Sequence, residues 1–285
     1  MYKIVDKTEL AASVKRIEIE APEIAKKILP GQFIMLRVDE PGERIPLTVV
    51  EKNIDQGTIT LIFQEIGRTT KKLAALEIGE DVLDLIGPLG HSTEIKKYGA
   101  VVAIGGGVGV AEILPVAKAY RSVGNQVIGI IGARTKELII LEKEMRSACD
   151  QLYVTTDDGS YGEKGFVSDI LKRILTNHLI TPACQVLVGG QSPNYPDLVY
   201  AIGPLPMMKV VTEVTRPYQI KTIVSLNPIM VDGTGMCGSC RLEVGGETKL
   251  GCCDGPEFDG HLVNWDLIIL RNKRFLEEEK KALDR

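Results

Sequence analysis

The fold is decided by the stretch Ala100-Val-Val-Ala-Ile-Gly-Gly-Gly-Val-Gly109, an apolar run that ends in closely spaced glycines. A segment with helical character follows it. A buried strand, a glycine-rich turn and a helix, in this order, form the unit from which parallel sheets are built. The unit recurs along the chain, so the sequence predicts a parallel sheet covered by helices on both faces. The expected helices cover residues 111–122, 136–148, 166–175 and 206–215.

The pattern before residue 96 is different. Short apolar or alternating runs begin at Val14, Gln32 and Thr58, and turn signals such as Pro30-Gly31 separate them. Regular short strands with a single helical stretch, residues 69–76, predict a small antiparallel barrel. We therefore expect three parts: a β-barrel over residues 1–97, a parallel α/β domain over 98–224, and a cysteine loop with a charged tail over 225–285.

The composition is that of an ordinary globular protein, with 44% hydrophobic and 25% charged residues in a chain of 285. A formal net charge of -4 provides no basic surface, so we expect no nucleic-acid partner. The N-terminus has no secretory signal, and glycines and charges interrupt the most apolar region, residues 99–119. We therefore expect a cytoplasmic protein without a membrane segment. Thiols stay reduced there, so the cysteines indicate metal or redox chemistry rather than disulfides.

Four of the six cysteines lie in one region, which begins Asp232-Gly-Thr-Gly-Met-Cys237-Gly-Ser-Cys240 and continues to Cys252-Cys253. Two-iron two-sulfur loops have the spacing C-x4-C-x2-C followed by a distant cysteine. This chain has that spacing with an aspartate at the first position and two candidates for the fourth. A structural zinc site would use the same residue types and is the alternative.

The glycine turn that opens the second domain is a candidate anion site, because backbone N–H groups at a helix N-terminus bind pyrophosphate. Val110 takes the place of the third glycine of the strict dinucleotide motif, so that motif is not met. Two further turns follow strands at the same sheet edge and could line one nucleotide pocket. The predicted nucleotide-binding residues are Gly105, Gly106, Gly107, Val108, Gly109, Asp157, Gly159, Ser160, Tyr161, Gly203, Pro204, Pro206 and Met207.

Two stretches of the first domain could hold an anionic ligand. In the first stretch, the guanidinium group of an arginine and the hydroxyl group of a threonine lie on either side of a proline, and both can bind an anion. The second stretch begins the short helix, and helix N-termini attract anions. The candidates are Arg44, Pro46, Leu47, Thr48, Gly67, Arg68, Thr69 and Thr70. By themselves, these residues could equally be surface ion pairs and helix caps.

Taken together, Arg44-x-Pro-Leu-Thr, the Gly-Gly-Gly-Val-Gly turn and Gly203-Pro-x-Pro-Met-Met resemble the ferredoxin-NADP reductase superfamily. This resemblance implies FAD on the barrel, at Arg44 to Thr48 and the Gly67 to Thr70 turn, and NAD(H) as substrate on the parallel-sheet domain. The cysteine region resembles the branch with a C-terminal 2Fe-2S cluster, as in the electron-transfer subunit of dihydroorotate dehydrogenase. In that branch the fourth cysteine ligand is followed by one residue and then by Asp-Gly-Pro. Cys252 meets this pattern, so the resemblance implies the ligand set Asp232, Cys237, Cys240 and Cys252.

Asp232 with three cysteines, and the segment Gly42-Glu-Arg-Ile-Pro-Leu-Thr48, are similar to the small subunits of NADH-dependent ferredoxin:NADP oxidoreductases. This resemblance implies a heterodimer with a larger flavin and iron-sulfur subunit, ferredoxin as a partner of that complex, and flavin-based electron bifurcation. No side chain need act as acid or base, since the cofactors carry the redox steps. The alternatives are the dihydroorotate dehydrogenase subunit and a zinc-stapled module without nicotinamide chemistry. Choice between NAD and NADP stays open, because Arg134 and Lys136 could hold a 2′-phosphate.

Overall fold

The chain folds into two compact units in a computed structural model that describes residues 1–176 and 195–283. The first unit comprises Met1–Thr93, Leu226–Glu257 and Val263–Arg285. The second comprises Glu94–Ser225 and Phe258–Leu262. The segment that follows the last cysteines therefore enters the second unit for a few residues and then returns to the first.

A seven-stranded antiparallel sheet in the first unit curves into a nearly closed barrel. Its strands pair in the order β6-β1-β2-β5-β4-β3-β7. Alternate residues of each strand point inward, so the core is built from side chains such as Ile17, Ile19 and Leu61. The strands are β1 Tyr2–Ala11, β2 Val14–Glu20, β3 Phe33–Arg37, β4 Arg44–Asn53, β5 Thr58–Gln64, β6 Asp81–Val82 and β7 Asp84–Leu89; the helices are α1 Pro22–Lys27 and α2 Arg68–Ala75.

The second unit contains a parallel sheet with β8 at its centre, in the order β11-β10-β9-β8-β12-β13 and then a short strand at Glu257–Asp259. Every residue of β8 is buried, as expected for a strand covered by helices on both faces. The strands are β8 Ala100–Gly106, β9 Gln126–Ala133, β10 Gln151–Thr156, β11 Glu163–Lys164, β12 Leu198–Ile202 and β13 Lys221–Ser225. The helices are α3 Gly109–Ser122, α4 Glu142–Ala148, α5 Val167–Thr176 and α6 Leu205–Thr215, with 3₁₀ turns at Lys136–Leu138 and Arg216–Tyr218.

The C-terminal part of the first unit carries the cysteine region. A hairpin of β14, Arg241–Val244, and β15, Glu247–Leu250, separates Cys240 from Cys252. The last elements are β16, which is the short strand Glu257–Asp259, and the helices α7 Trp265–Arg271 and α8 Leu276–Leu283.

The predicted fold class is confirmed, namely an antiparallel barrel, a parallel-sheet nucleotide-binding domain and a C-terminal iron-sulfur region. One predicted helix, residues 136–148, is wrong as a continuous element. Leu141 adopts a left-handed conformation with φ of 54°, which separates the 3₁₀ turn from α4. Between Cys240 and Cys252, where the sequence predicts a strand, a turn and a second strand, the structure has the hairpin β14–β15.

Cys149 and Cys184 stand apart from the cysteine region, and the sequence predicts that both are core residues. Cys149 is buried, with 5% of its surface exposed, which confirms the prediction for this residue. The same prediction for Cys184 falls outside the described residues. Within the described parts of the chain, no helix has the length and apolar character needed to span a bilayer.

Candidate functional site

The barrel strand β4 presents Arg44, whose guanidinium is incompletely satisfied. Its Nη2 lies 3.6 Å from Asp84 Oδ2, but the same carboxylate is held more tightly by Arg37, with distances of 2.8 Å to Nε and 2.5 Å to Nη2. Arg44 Nε is buried and has no hydrogen-bond partner. A buried N–H without an acceptor is costly, and a phosphate oxygen would satisfy it. Arg44 therefore fits the pyrophosphate of a bound dinucleotide.

The other candidates on β4 are held by pairing with β3. Pro46 lies opposite Met35, Leu47 opposite Ile34, and Thr48 opposite Phe33. Because β3 is buried along most of its length, this pairing fixes the backbone that carries Arg44 and Thr48.

The turn before α2 is shaped by its own threonine. Thr70 Oγ1 accepts hydrogen bonds from the Gly67 and Ile66 amides, at 3.0 and 3.2 Å, and donates to the Gly67 carbonyl at 3.0 Å. Thr70 is thus committed to capping the helix. Arg68 is exposed and Thr69 is buried, so the arginine is the side chain of this turn that can reach a ligand.

The glycine turn after β8 brings two chain segments into direct backbone contact. A Cβ atom at Gly109 would lie 2.5 Å from the carbonyl oxygen of Ile202 and 3.0 Å from Gly203 Cα. A Cβ at Gly105 would lie 2.9 Å from Val110 Cα. Glycine is therefore required at these two positions, because the start of α3 packs closely against the end of β12 at Gly109 and against the end of β8 at Gly105.

Gly107 is different, because a Cβ there would meet nothing within 4 Å. Its φ of 57° is left-handed, a conformation that glycine adopts without strain. The turn therefore leaves open space beside its backbone at the C-terminal edge of the sheet, where ligands of open parallel sheets bind.

Met207 and the remaining residues of the β12–α6 turn lie at the same edge. β12 pairs with β8 so that Ile202 is opposite Gly105, and a Cβ on Gly106 would collide with Met207 Sδ. Pro204 precedes the first turn of α6 and Pro206 lies within it, where a missing N–H costs little. The structure thus places the Gly105–Gly109 turn and the Gly203–Met207 turn together.

The third predicted turn follows β10 and is organised by a residue that the sequence analysis did not single out. Asp158 Oδ1 accepts from the Ser160 amide and hydroxyl, at 2.9 and 2.7 Å. These bonds, the hydroxyl first, lower the pKa of the Asp158 carboxyl. Ser160 Oγ in turn accepts from the Lys136 amide at 2.9 Å. An aspartate two residues before a serine is an Asx-turn signal, so the sequence did contain this information.

Tyr161 and the loop after β9 are connected as well. The Lys136 ammonium lies 5.6 Å from the centre of the Tyr161 ring, and the Tyr161 hydroxyl donates to Glu142 at 3.2 Å. Asp157 joins the set through its amide, which donates to the Ala133 carbonyl at 3.1 Å. Lys136, near the end of β9, is therefore close to the predicted nucleotide residues.

The cysteine region begins with a carboxylate clamped by its own loop. Asp232 accepts from the Thr234 amide through Oδ1 and from the Cys237 amide through Oδ2, both at 2.8 Å. The Thr234 amide and then the Cys237 amide hold the pKa of this carboxyl below its usual value, against the opposing effect of burial. Asp232 is therefore an anion beside Cys237.

The remaining ligand candidates form a second group. Cys240 Sγ lies 3.4 Å from Cys252 Sγ, which lies 3.6 Å from Cys253 Sγ. Two thiolates on one tetrahedral metal with bonds of ~2.3 Å lie ~3.8 Å apart, so both sulfur pairs are close to the separation of ligands to a shared metal. Burial and the neighbouring thiols raise the pKa of Cys252, so this sulfur would become a thiolate ligand only where a metal cation takes the place of its proton.

Burial distinguishes Cys252 from Cys253. Cys240 and Cys252 are 2% and 3% exposed and pack with Phe33 and Met35 of β3, whereas Cys253 is exposed. Gly235 has a φ of 86°, and a Cβ there would lie 2.6 Å from Cys253 Sγ. Cys253 therefore lies against the loop but outside the apolar cluster that surrounds the Cys240 and Cys252 sulfurs.

Three arginines surround the backbone between Cys237 and Cys240. Arg271 and Arg274 both donate to the Ser239 carbonyl, at 3.2 and 3.4 Å. The Arg241 guanidinium lies 3.9 Å from where a Cβ on Gly238 would be. Burial, followed by repulsion from Arg274 and Arg241, lowers the pKa of Arg271.

Comparison with known proteins accounts for both ends of the first unit. Residues 1–93 match the oxidoreductase FAD-binding domain, and residues 227–264 match the iron-sulfur cluster binding domain of dihydroorotate dehydrogenase B. A homologue of the dihydroorotate dehydrogenase B electron transfer subunit from Thermotoga maritima is 41% identical over 100% of this chain and 95% of its own length.

The chain belongs to this family of FAD-binding oxidoreductase subunits, related to ferredoxin-NADP reductase.

Two further similarities agree with that assignment. An uncharacterized protein in the adh 3′ region of Clostridium beijerinckii is 47% identical over 99% of this chain and 93% of its own length. A solved structure described as that of an NADH-dependent reduced ferredoxin-NADP oxidoreductase, in work on flavin-based electron bifurcation, has a TM-score of 0.89 and 40% identity. It covers 100% of this chain and 97% of its own.

The predicted resemblance to ferredoxin-NADP reductases is thereby confirmed, as is the assignment to the oxidoreductases. The family member described here is an electron-transfer subunit with an FAD-binding domain and an iron-sulfur binding domain.

Proposed function

We propose that this chain is the small electron-transfer subunit of an NADH-dependent ferredoxin:NADP oxidoreductase that bifurcates electrons. The 40% identity to the solved NADH-dependent reduced ferredoxin-NADP oxidoreductase structure supports the choice of enzyme. The observation that carries its redox role is the arrangement of the predicted cluster ligands in two pairs: the Asp232 carboxylate accepts from the Cys237 amide, and the Cys240 sulfur lies beside the Cys252 sulfur. In a 2Fe-2S cluster each iron takes two protein ligands. A zinc site would need at least three ligands at one point.

Within residues 1–176 and 195–283, no group of three or more histidine, cysteine or acidic side chains is arranged to hold a single metal ion. The paired arrangement therefore favours the binuclear cluster over the zinc alternative. Asp232 in place of a cysteine is a harder donor, which will shift the potential of the cluster.

Each of the three predicted parts of the chain binds one cofactor or substrate in this proposal. Barrel residues 1–97 hold FAD, with Arg44 on the pyrophosphate and the Gly67 to Thr70 turn at a second point. Residues 98–224 bind NAD(H) at the turns after β8, β10 and β12, and residues 225–285 hold the cluster. A flavin accepts a hydride as an electron pair and releases single electrons, which suits a one-electron iron-sulfur acceptor.

In this proposal the protein groups position the cofactors and exclude water, and they need not donate or accept protons. Close packing at Gly105, Gly106 and Gly109 sets the backbone that faces the nucleotide. Burial of Cys240 and Cys252 keeps water from that side of the cluster. A larger flavin and iron-sulfur subunit completes the enzyme as a heterodimer in the cytoplasm, and ferredoxin reacts with that complex.

A second candidate follows from the family itself, since the Thermotoga maritima relative and the matched iron-sulfur domain both refer to dihydroorotate dehydrogenase B. Asp232 weighs against it, because the spacing characteristic of that branch has a cysteine there.

Anaerobic purification followed by iron, sulfide and flavin analysis tests the first proposal. We expect about two irons, two sulfides and one FAD per chain. A zinc-containing, colourless protein would refute it. Mass spectrometry of the co-purifying subunit, together with assays for NADPH-dependent ferredoxin reduction and for dihydroorotate oxidation, decides between the two partner enzymes.

A further inference from the structure

The surface beside the cysteine region has a charge arrangement that the cluster itself does not require. Arg271 and Arg274 both donate to the Ser239 carbonyl, and the Arg241 guanidinium lies beside Gly238 in the same loop. Like charges repel one another, so a nearby anion would stabilise this arrangement. Within residues 1–176 and 195–283, no carboxylate lies within ion-pair distance of these three guanidinium groups.

Part of this arrangement has a structural purpose. Arg274 Nε donates to the Arg271 carbonyl at 3.1 Å, which satisfies the end of α7, and its guanidinium lies 5.8 Å from the Phe275 ring. Cations at a helix C-terminus are favourable. These contacts explain where Arg274 lies, but they supply no negative charge to Arg241 or Arg271.

Apolar side chains are exposed next to the arginines. Met236, immediately before Cys237, is 88% exposed, and Leu270, immediately before Arg271, is 66% exposed. Protein interfaces are enriched in methionine and arginine and depleted of lysine and acidic residues. A small anion would bind the guanidinium groups without covering Met236, whereas a protein surface would contact both.

We propose that Arg241, Arg271 and Arg274, with Met236, form a docking surface for a carboxylate-bearing face of the larger partner subunit. This rests on the proposed function, in which electrons leave the chain through the cluster. Arg271 and Arg274 bind the backbone between Cys237 and Cys240, so a protein docked on them lies beside the cluster ligands. Docking and electron exit would therefore share one surface.

The first test measures affinity in the cofactor-loaded complex. The chain is co-expressed with its co-purifying larger subunit, and dissociation on dilution is followed by mass photometry. Arg241→Glu and Arg274→Glu should each raise Kd by about tenfold or more at low ionic strength, and the effect should shrink at about 0.5 M KCl. Lys27→Glu, at an exposed position of α1 in the same unit, is the matched control and should leave Kd within about twofold.

Iron content and NADH-dependent reduction of an artificial acceptor are measured on every variant. The Arg241 side chain makes no hydrogen bond to the loop within the part of the chain that the structure describes. Arg241→Glu therefore still tests the docking surface if Arg274→Glu loses its cluster. Cofactor-loaded variants with unchanged Kd would overturn the docking surface while leaving the proposed function intact. Absence of iron and flavin from the wild-type chain would instead overturn the proposed function.

A second test identifies the occupant directly. Carbodiimide joins lysine amines to carboxylates in contact with them but does not couple arginine. Arg241→Lys and Arg274→Lys should therefore create new cross-links from these positions to aspartate or glutamate of the larger subunit, found by mass spectrometry. The wild-type complex gives the background from native lysines such as Lys273. No new cross-link from either position, with phosphate at about 10 mM protecting the arginines from phenylglyoxal, would show a small-anion site and overturn the proposal.

Discussion

Gly109→Ala is the substitution whose effect can be worked out most directly from the packing of the second unit. The new methyl group would lie 2.5 Å from the Ile202 carbonyl oxygen and 2.9 Å from its carbonyl carbon. Ordinary contacts of this kind begin near 3.4 Å, so the shortfall is about 0.9 Å against backbone that no rotamer change can move. Overpacking of this type costs about 1–3 kcal/mol, and backbone partners favour the upper end.

The same displacement should weaken nucleotide use. A shift of about 1 Å between the α3 N-terminus and the Gly203 turn misplaces the groups that face the pyrophosphate, and misplacement on that scale can reduce rates by about 100-fold. We expect Tm to fall by about 5–10 °C and KM for NADH to rise by about tenfold or more. Differential scanning calorimetry and NADH-dependent reduction of ferricyanide measure these two quantities.

Gly124→Ala is the matched control, because Gly124 lies just beyond the other end of α3. Its φ is 84° and a Cβ there meets nothing within 4 Å. The control should therefore cost about 1 kcal/mol through backbone strain and leave KM for NADH within about twofold. A Gly109→Ala protein with wild-type KM and Tm would refute the close packing of the two turns and, with it, their common role.

Further predictions concern single side chains. Asp232→Cys should retain two irons but shift the cluster potential in a redox titration, whereas an unchanged potential would argue against Asp232 as a ligand. Cys252→Ser should lower iron and sulfide content, whereas Cys253→Ser should not, and the reverse result would exchange their roles. Asp158→Ala should raise KM for NADH by a few-fold, with unchanged cluster absorbance, because Ser160 loses its acceptor. Burial raises the pKa of Cys149 to about 12, so its thiol stays protonated up to that pH; iodoacetamide at pH 8 should leave Cys149 unmodified in the folded protein, and mass spectrometry showing rapid labelling would contradict its burial.

Much of the fold could be predicted because its signals are local. The alternation in β2 and the apolar run of β8 report burial on one face or on both, and period and length suffice to recognise each. The same local reading failed at residues 136–148, where Leu141 adopts a left-handed conformation that its composition does not signal.

The candidate site likewise has features that the sequence predicts and features that it does not. The order and spacing of Asp232, Cys237 and Cys240 follow from the sequence, because one short loop supplies all three. Cys252 is buried and Cys253 is not because only Cys252 packs in the apolar cluster around β3. Strand β3 is distant in the sequence, so this difference could not be predicted from it. The orphaned Arg44 Nε likewise became visible only when Arg37 was seen to hold Asp84.

The sequence by itself determined the barrel, the parallel sheet, the glycine turn and the frame of a cluster loop, because hydrophobic period and residue spacing are properties of neighbours along the chain. Only the tertiary structure decided which side chains meet. Arg271 and Arg274 converge on the Ser239 carbonyl across 32 and 35 residues, and no local pattern marks that meeting. The physical reason is that unpaired charge and unsatisfied hydrogen bonds are properties of a surrounding volume, which exists only once the chain has folded.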